Sequence, residues 1–340
     1  MANLKTKYMG LELKSPIVVG ANNLVKNIDN LKRIEDAGAG AIVFKSLFEE
    51  QVLMENLELS ERMTEYEERH AEMIKIFPEI PRGKSEIEDH LVSLRMAKEA
   101  VSIPLIASLN AVYKETWIEY AKKIEETGVD GLELNFYTVP EKFDEEFFDN
   151  EMNQIDILKE VRSAVKLPLA VKLSPFYSNP LKLIADLDIA GADCFVLFNR
   201  LFQPDIDIDT EEHHFPYNLS NKEDNRLSLR FAGLLYGNTN ATICANSGIL
   251  SGSDVIRMIL AGADAVQVVS VLYLNQIEVI RTMLNEIEKW MELKGYENLG
   301  SFKGKLSKKN SKSKLPYHRA QYMDFMRTTS EILKKYKVIS

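Results

Sequence analysis

AGAGAIVFK, residues 37–45, ends one element on a glycine and begins another at once with a short apolar run. The phrase returns as TGVDGLELN (127–135), AGADCFVLF (190–198) and AGADAVQVV (261–269). Amphipathic segments lead into the copies, WIEYAKKIEETG and SGSDVIRMILAG among them, with apolar residues at helical spacing. Glycine stops such a helix by taking the left-handed conformation that other residues resist. The apolar, β-branched run that follows fits a strand covered on both faces.

Other strands enter from a proline: SPIVVGAN (15–22), IPLIASLN (103–110) and LPLAVKLS (167–174), and ATICANSG (241–248) completes the set. The strand candidates start near residues 16, 41, 104, 130, 168, 193, 241 and 264. Eight strands with helices between most of them predict an α/β fold, a TIM (β/α)8 barrel with long loops over its C-terminal face. A doubly wound open sheet is the alternative, but no G-x-G-x-x-G opens a helix after the first strand. The barrel is expected over 1–306. Residues 307–340 read as a lysine-rich linker and a C-terminal helical extension, because KGKLSKKNSKSK (303–314) carries six lysines and no acid.

The chain has 340 residues, 45% hydrophobic, enough for one large core. Its net charge of −9 argues against a general attraction to nucleic acid or membrane. The start, MANLKTKYMG, has no apolar run behind its lysines, and no apolar run reaches the roughly 20 residues of a membrane span. Cys194 and Cys244 lack a CxxC partner and read as buried thiols, so a cytoplasmic protein is expected. His213 and His214, in a loop among acids, and His70 and His90, on charged helical stretches, read as surface residues. Trp117 and Trp290 fall at amphipathic positions and read as core or interface.

Chemistry in such barrels sits at the C-terminal strand ends. These read Gly20-Ala21-Asn22, Lys45-Ser46, Ser108-Leu109-Asn110, Asn135, Lys172-Leu173-Ser174, Asn199-Arg200, Asn246-Ser247-Gly248 and Val269-Ser270. Amides, hydroxyls and lysines abound, while a carboxylate pair or a metal site lacks raw material. A buried lysine needs a partner for its charge. For Lys45 and Lys172 that partner is either a ligand or a carboxylate from elsewhere in the chain. Gly248 and Ser270, each before a helix or turn, match the phosphate site common to many barrels. A phosphate at one rim, with lysines and amides across the mouth, suggests flavin mononucleotide (FMN), whose pyrimidine edge accepts from such groups.

These residues resemble the dihydroorotate dehydrogenase family, its soluble class 1 branch most of all, from about Leu11 to Leu306. Lys45-Ser46 resembles the family's strand-two Lys-Ser/Thr, and Leu134-Asn135 its strand-four Leu-Asn. Val171-Lys172-Leu173 matches the strand-five Val-Lys-Leu. Ser247-Gly248-Ile249 stands for Gly-Gly-Ile, and Val266-Gln267-Val268-Val269-Ser270 for Val-Gln-(Ile/Val)-Gly-Thr. The resemblance implies bound FMN, with Gly20, Ala21, Lys45, Ser46, Ser108, Asn135, Lys172, Ser247, Gly248, Val269 and Ser270 as contacts. It also implies a homodimer and a small-molecule substrate held by Asn135 and Asn199. In the family's reaction a hydride passes from C6 of dihydroorotate to flavin N5 while a base removes a proton from C5. The base, a Cys or Ser three residues after the strand-four asparagine, corresponds here to Thr138. Lys45 is the other residue expected to take part in catalysis.

The substrate side departs from the pattern. Pro140 replaces an expected asparagine, Arg200 replaces a small hydroxyl residue, and the Asn-x-x-Gly-Leu-Pro-Asn stretch between strands two and three is missing. An FMN-dependent oxidoreductase acting on dihydroorotate or a related small substrate is therefore the first reading. A flavin-binding family member that has lost dihydroorotate dehydrogenase activity is the second. A Schiff-base lyase using Lys172 or Lys45 is a third, which needs an apolar pocket and a nearby acid.

Overall fold

The computed structural model describes residues 2–54, 86–137, 149–200, 204–214 and 219–318. Among them, eight short parallel strands form the centre: β1 (Ile17–Val19), β2 (Ala41–Val43), β3 (Leu105–Asn110), β4 (Gly131–Asn135), β5 (Leu169–Leu173), β6 (Cys194–Leu197), β7 (Thr242–Ala245) and β8 (Ala265–Val268). Each starts within one residue of the position expected from sequence. Each strand pairs with the next, and β8 pairs with β1, so the sheet closes into a (β/α)8 barrel. The helices around it are α1 (Ile28–Asp36), α2 (Glu86–Ala100), α3 (Lys114–Glu125), α4 (Asp149–Ala164), α5 (Pro180–Ile189), α6 (Asn225–Leu235), α7 (Gly252–Ala261), the short α8 (Ser270–Asn275) and α9 (Val279–Lys294).

Strand alternation divides the apolar residues between two cores. Leu132, Leu134, Val171 and Phe195 face the helices in the larger one. Val18, Val43, Ile106, Ala170, Val196 and Cys244 fill the barrel interior. An antiparallel hairpin (Thr6–Tyr8 with Leu11–Leu13) adds Tyr8, Met9 and Leu13 to that interior cluster. It is fastened where the Met9 N–H donates to Thr242 Oγ1 at 2.9 Å.

The recurring phrase now has a physical explanation. Gly38, Gly128, Gly191 and Gly262 all have positive φ, as a helix-ending glycine requires. The aspartate two residues on serves the floor of the barrel. Asp130 accepts from the Leu105 N–H at 2.8 Å and from Lys98 at 2.6 Å. Asp193 accepts from the Leu169 N–H at 2.7 Å and from Arg162 at 2.8 Å. Asp264 accepts from the Ile243 N–H at 2.9 Å and from Lys303 at 2.5 Å. Each carboxylate thus ties the start of one strand to a cation. The first copy carries Gly40 instead, because a Cβ there would lie 2.2 Å from the Ser15 carbonyl oxygen.

The three long connections hold further elements. The one after β2 contains α2, and the one after β4 contains α4. The one after β6 contains an antiparallel hairpin (Asp205–Asp207 with Glu212–His214) and α6. The start of the lysine-rich segment lies against the ends of α6 and α7. There the N–H groups of Gly304, Leu306 and Lys308 donate to the carbonyls of Ile259, Leu260 and Gly233. The expected helix beyond residue 318 lies outside the described residues. Among the described residues no helix is long and apolar enough to cross a membrane.

Candidate active site

Alternation that points Val43, Ile106, Ala170 and Ala265 into the barrel also carries Lys45, Ser108, Lys172 and Val269 on the inner face, nearer the C-terminal mouth. Asn135 and Lys172 are register partners on β4 and β5. Gly20 follows β1, where its N–H donates to the Val268 carbonyl at 3.1 Å, and Ala21 packs against the interior cluster. Ser46 and Ser108 meet through their hydroxyls at 2.7 Å, both buried. The strand ends converge as the sequence suggests.

The two lysines differ. Lys172 has a carboxylate partner within the chain: its Nζ lies 3.7 Å from Glu133 Oε1 and 3.3 Å from Gln267 Oε1. Glu133 is fully buried, and its other oxygen accepts from Gln267 Nε2, which also donates to the Tyr8 hydroxyl oxygen at 3.2 Å. Of the two partners left open for this lysine, a ligand or a carboxylate from elsewhere in the chain, the carboxylate is present. Glu133 lies two residues before Asn135, so the pleat that sends Asn135 inward sends Glu133 inward too, one layer deeper. Within GLELN (131–135) a single acid among apolar residues gave the signal, and alternation would have found it. Lys45 is partly buried and, among the described residues, pairs with no carboxylate.

His90 also departs from its expected surface position. It lies on α2, edge-on to Phe44 with ring centroids 5.7 Å apart, and its Nε2 is buried without a hydrogen-bond partner among the described residues. Burial, then the charges of Lys45 and Lys26, lower its pKa from the ordinary 6.5 to about 4. The folded protein therefore binds fewer protons than the unfolded chain between those values. The stability contributed by neutral His90 is complete above about pH 6.5 and is lost as the pH falls toward 4. We expect about 2 kcal/mol of extra destabilisation between about pH 7 and pH 5 in the wild type, absent in His90→Gln. Urea unfolding of both proteins across that range is the check, and equal slopes would contradict it.

At the opposite rim, Ser247 and Gly248 both have positive φ, +69° and +66°. The Ser247 hydroxyl donates to the Phe198 carbonyl at 3.0 Å. Asn225 Nδ2 donates to the Gly248 carbonyl at 3.0 Å, which fixes the turn against α6. Ser270 opens α8, and its Oγ accepts from the Ser220 N–H at 3.0 Å and lies 2.8 Å from Ser220 Oγ. The N–H groups of Gly248 and Ser270 donate to no atom among the described residues. Ser220 was missed from sequence, because it lies 50 residues from its partner in a loop without a motif.

Asn199 Nδ2 donates to Asn135 Oδ1 at 2.7 Å, so the two expected substrate residues meet. Asn199 also lines a cleft of about 190 Å³ with Phe176, Phe198, Arg200 and Ser247. Arg200 Nε sits 3.2 Å from Asp224 Oδ2 at the same cleft. Trp117 packs edge-on against Phe136, 5.3 Å between centroids, behind the end of β4. Thr138 and Pro140, with His70, lie outside the described residues. Cys194 and Cys244 are buried free thiols held protonated, their pKa values raised chiefly by burial. His213 is exposed, and no group of metal-binding side chains occurs among the described residues.

The model of the dihydroorotate dehydrogenase family matches residues 3–291. A dihydroorotate dehydrogenase B (NAD(+)) catalytic subunit of Methanocaldococcus jannaschii is 27% identical over 85% of this chain and 94% of its own. The protein of that description from Thermoplasma volcanium is 28% identical over 89% and 98%. A dihydroorotate dehydrogenase A (fumarate) of Lactobacillus helveticus is 26% identical over 64% and 73%. With a closed barrel whose mouth gathers lysines and amides, and a family match over residues 3–291, this chain belongs to the dihydroorotate dehydrogenase family and is a dehydrogenase.

Proposed function

We propose that the chain binds FMN and oxidises dihydroorotate, or a small cyclic or anionic relative of it. The observation that carries this reading is Lys45, a partly buried cation on the inner face with no carboxylate partner among the described residues. Such a charge favours an anionic or strongly accepting ligand at the mouth. FMN suits the remaining donors. The Lys172 ammonium has three N–H groups and spends one on Gln267. Gly248 and Ser270 hold backbone N–H groups without acceptors among the described residues at the rim, where a phosphate needs them.

Gly20, Ala21, Lys45, Ser46, Ser108, Asn135 and Lys172 hold the ring side. Ser247, Gly248, Val269 and Ser270 hold the phosphate side. Bound FMN supplies the acceptor for a hydride. Asn135 and Asn199, already joined, orient the substrate. Lys45 stabilises negative charge as it develops. Thr138 takes the carbon-bound proton, which requires a proton path from its hydroxyl, and Tyr137 adjoins it in the chain. The protein acts as a homodimer in the cytoplasm, without nucleic acid or membrane.

One observation favours the second reading, a flavin protein that has lost this activity. Arg200, ion-paired to Asp224, occupies the substrate-side position where the family carries a small hydroxyl residue. Anaerobic titration of the FMN-loaded protein with dihydroorotate decides between them. Bleaching of the flavin absorbance is expected. A flavin that binds but is bleached neither by dihydroorotate nor by its small cyclic or anionic relatives leaves the second reading, and a chain that takes up no FMN overturns both.

A further inference from the structure

Glu133 has an arrangement that folding alone does not call for. It is fully buried, its Oε2 accepts from Gln267, and its Oε1 accepts no hydrogen bond among the described residues. Its cation partner among the described residues, Lys172 Nζ, is 3.7 Å from Oε1, too far for a hydrogen bond but close enough to cancel much of its field. Gln267 stands between them, accepting from Lys172 at 3.3 Å and donating to Glu133 and to Tyr8, which is itself fully buried. Buried ion pairs contribute little to stability compared with apolar replacements of the same shape. An ion pair held apart by an amide contributes less still, because each charge loses water without a full hydrogen-bond return.

The layering supplies a reason to keep it. Lys172 shares its layer with Asn135, at the mouth, and Glu133 lies one layer beneath. A ligand seated on the mouth meets the ammonium first and the carboxylate behind it. Gln267, hydrogen-bonded to both, stops the ammonium from dropping onto the carboxylate and keeps two of its N–H groups for the ligand.

We propose that Glu133 is a positioning residue that sets the reduction potential of the bound flavin by offsetting the charge of Lys172. The inference rests on the FMN reading above. A reduced flavin carries negative charge near N1, which a lone lysine stabilises and a carboxylate behind that lysine opposes. Glu133 thus keeps the potential lower than Lys172 alone would set it, which eases return of the electrons to an acceptor.

The test is the midpoint potential of the FMN-loaded protein, with its sulfite affinity as a second measurement, since the flavin–sulfite adduct is likewise anionic. Glu133→Gln removes one charge and keeps the shape. We expect a more positive potential and sulfite binding tighter by about tenfold or more. Glu133→Asp, which keeps the charge and draws it back by one methylene, guards against loss of folding in the first variant and should shift both in the same direction by less. FMN binding with unchanged potential and sulfite affinity in the variants overturns the inference and leaves the FMN reading intact. A shift to lower potential also overturns it. A wild-type protein that takes up no FMN fails on the earlier reading instead.

Discussion

Lys172→Met should cost about 3–5 kcal/mol of stability and abolish FMN retention, two effects that a second substitution can separate. The methionine fills the space but leaves Glu133 with no cation in a site closed to water. Breaking a buried pair in this way is far more costly than replacing both partners. The double variant Lys172→Met, Glu133→Gln is expected to recover most of the lost stability and none of the FMN affinity. Urea unfolding measures the first effect, and flavin fluorescence after gel filtration the second. A double variant as unstable as the single one would show that packing, rather than charge, governs the position.

Gly248→Val is the other large effect, expected at about 3–5 kcal/mol with a fall of tenfold or more in FMN affinity. Two costs combine. At φ +66° a β-branched residue is strained, and a Cβ would lie 2.5 Å from the Asn221 carbonyl oxygen and 2.6 Å from the Asn225 nitrogen. Both are backbone atoms, one in the turn that leads into α6 and one at its first residue, so relief requires the rim itself to move. Gly295 provides the comparison. Its φ is +72° with nothing within 4 Å of a Cβ, and Gly295→Ala should cost only about 1 kcal/mol. Comparable losses at the two glycines, measured by thermal unfolding, would remove the steric part of the argument.

The contrast between Lys45 and His90 shows how far the sequence could be read at the site. Lys45 lies two residues beyond the end of β2, and continued alternation puts it on the inner face. His90 sits in a charged helical stretch, and nothing around it in the chain distinguishes an exposed imidazole from a buried one. Only the packing of α2 beside β2 brings it against Phe44 and close to the charge of Lys45. The same holds at the phosphate rim. The turn glycine Gly248 was legible because positive φ has a residue signature, whereas Ser220 became visible only through its contact with Ser270.

By itself the sequence determined the barrel and the identity of most residues at its mouth. Helix-ending glycines, apolar strand runs and the two-residue pleat are local properties, written within a few residues of where they act. The charge state of the site was decided only in three dimensions. Glu133 meets Lys172 across 39 residues, Gln267 reaches Glu133 across 134, and Tyr8 joins from 259 residues away. Electrostatic pairing depends on distance through space and on exclusion of water, and closing the barrel is what sets both.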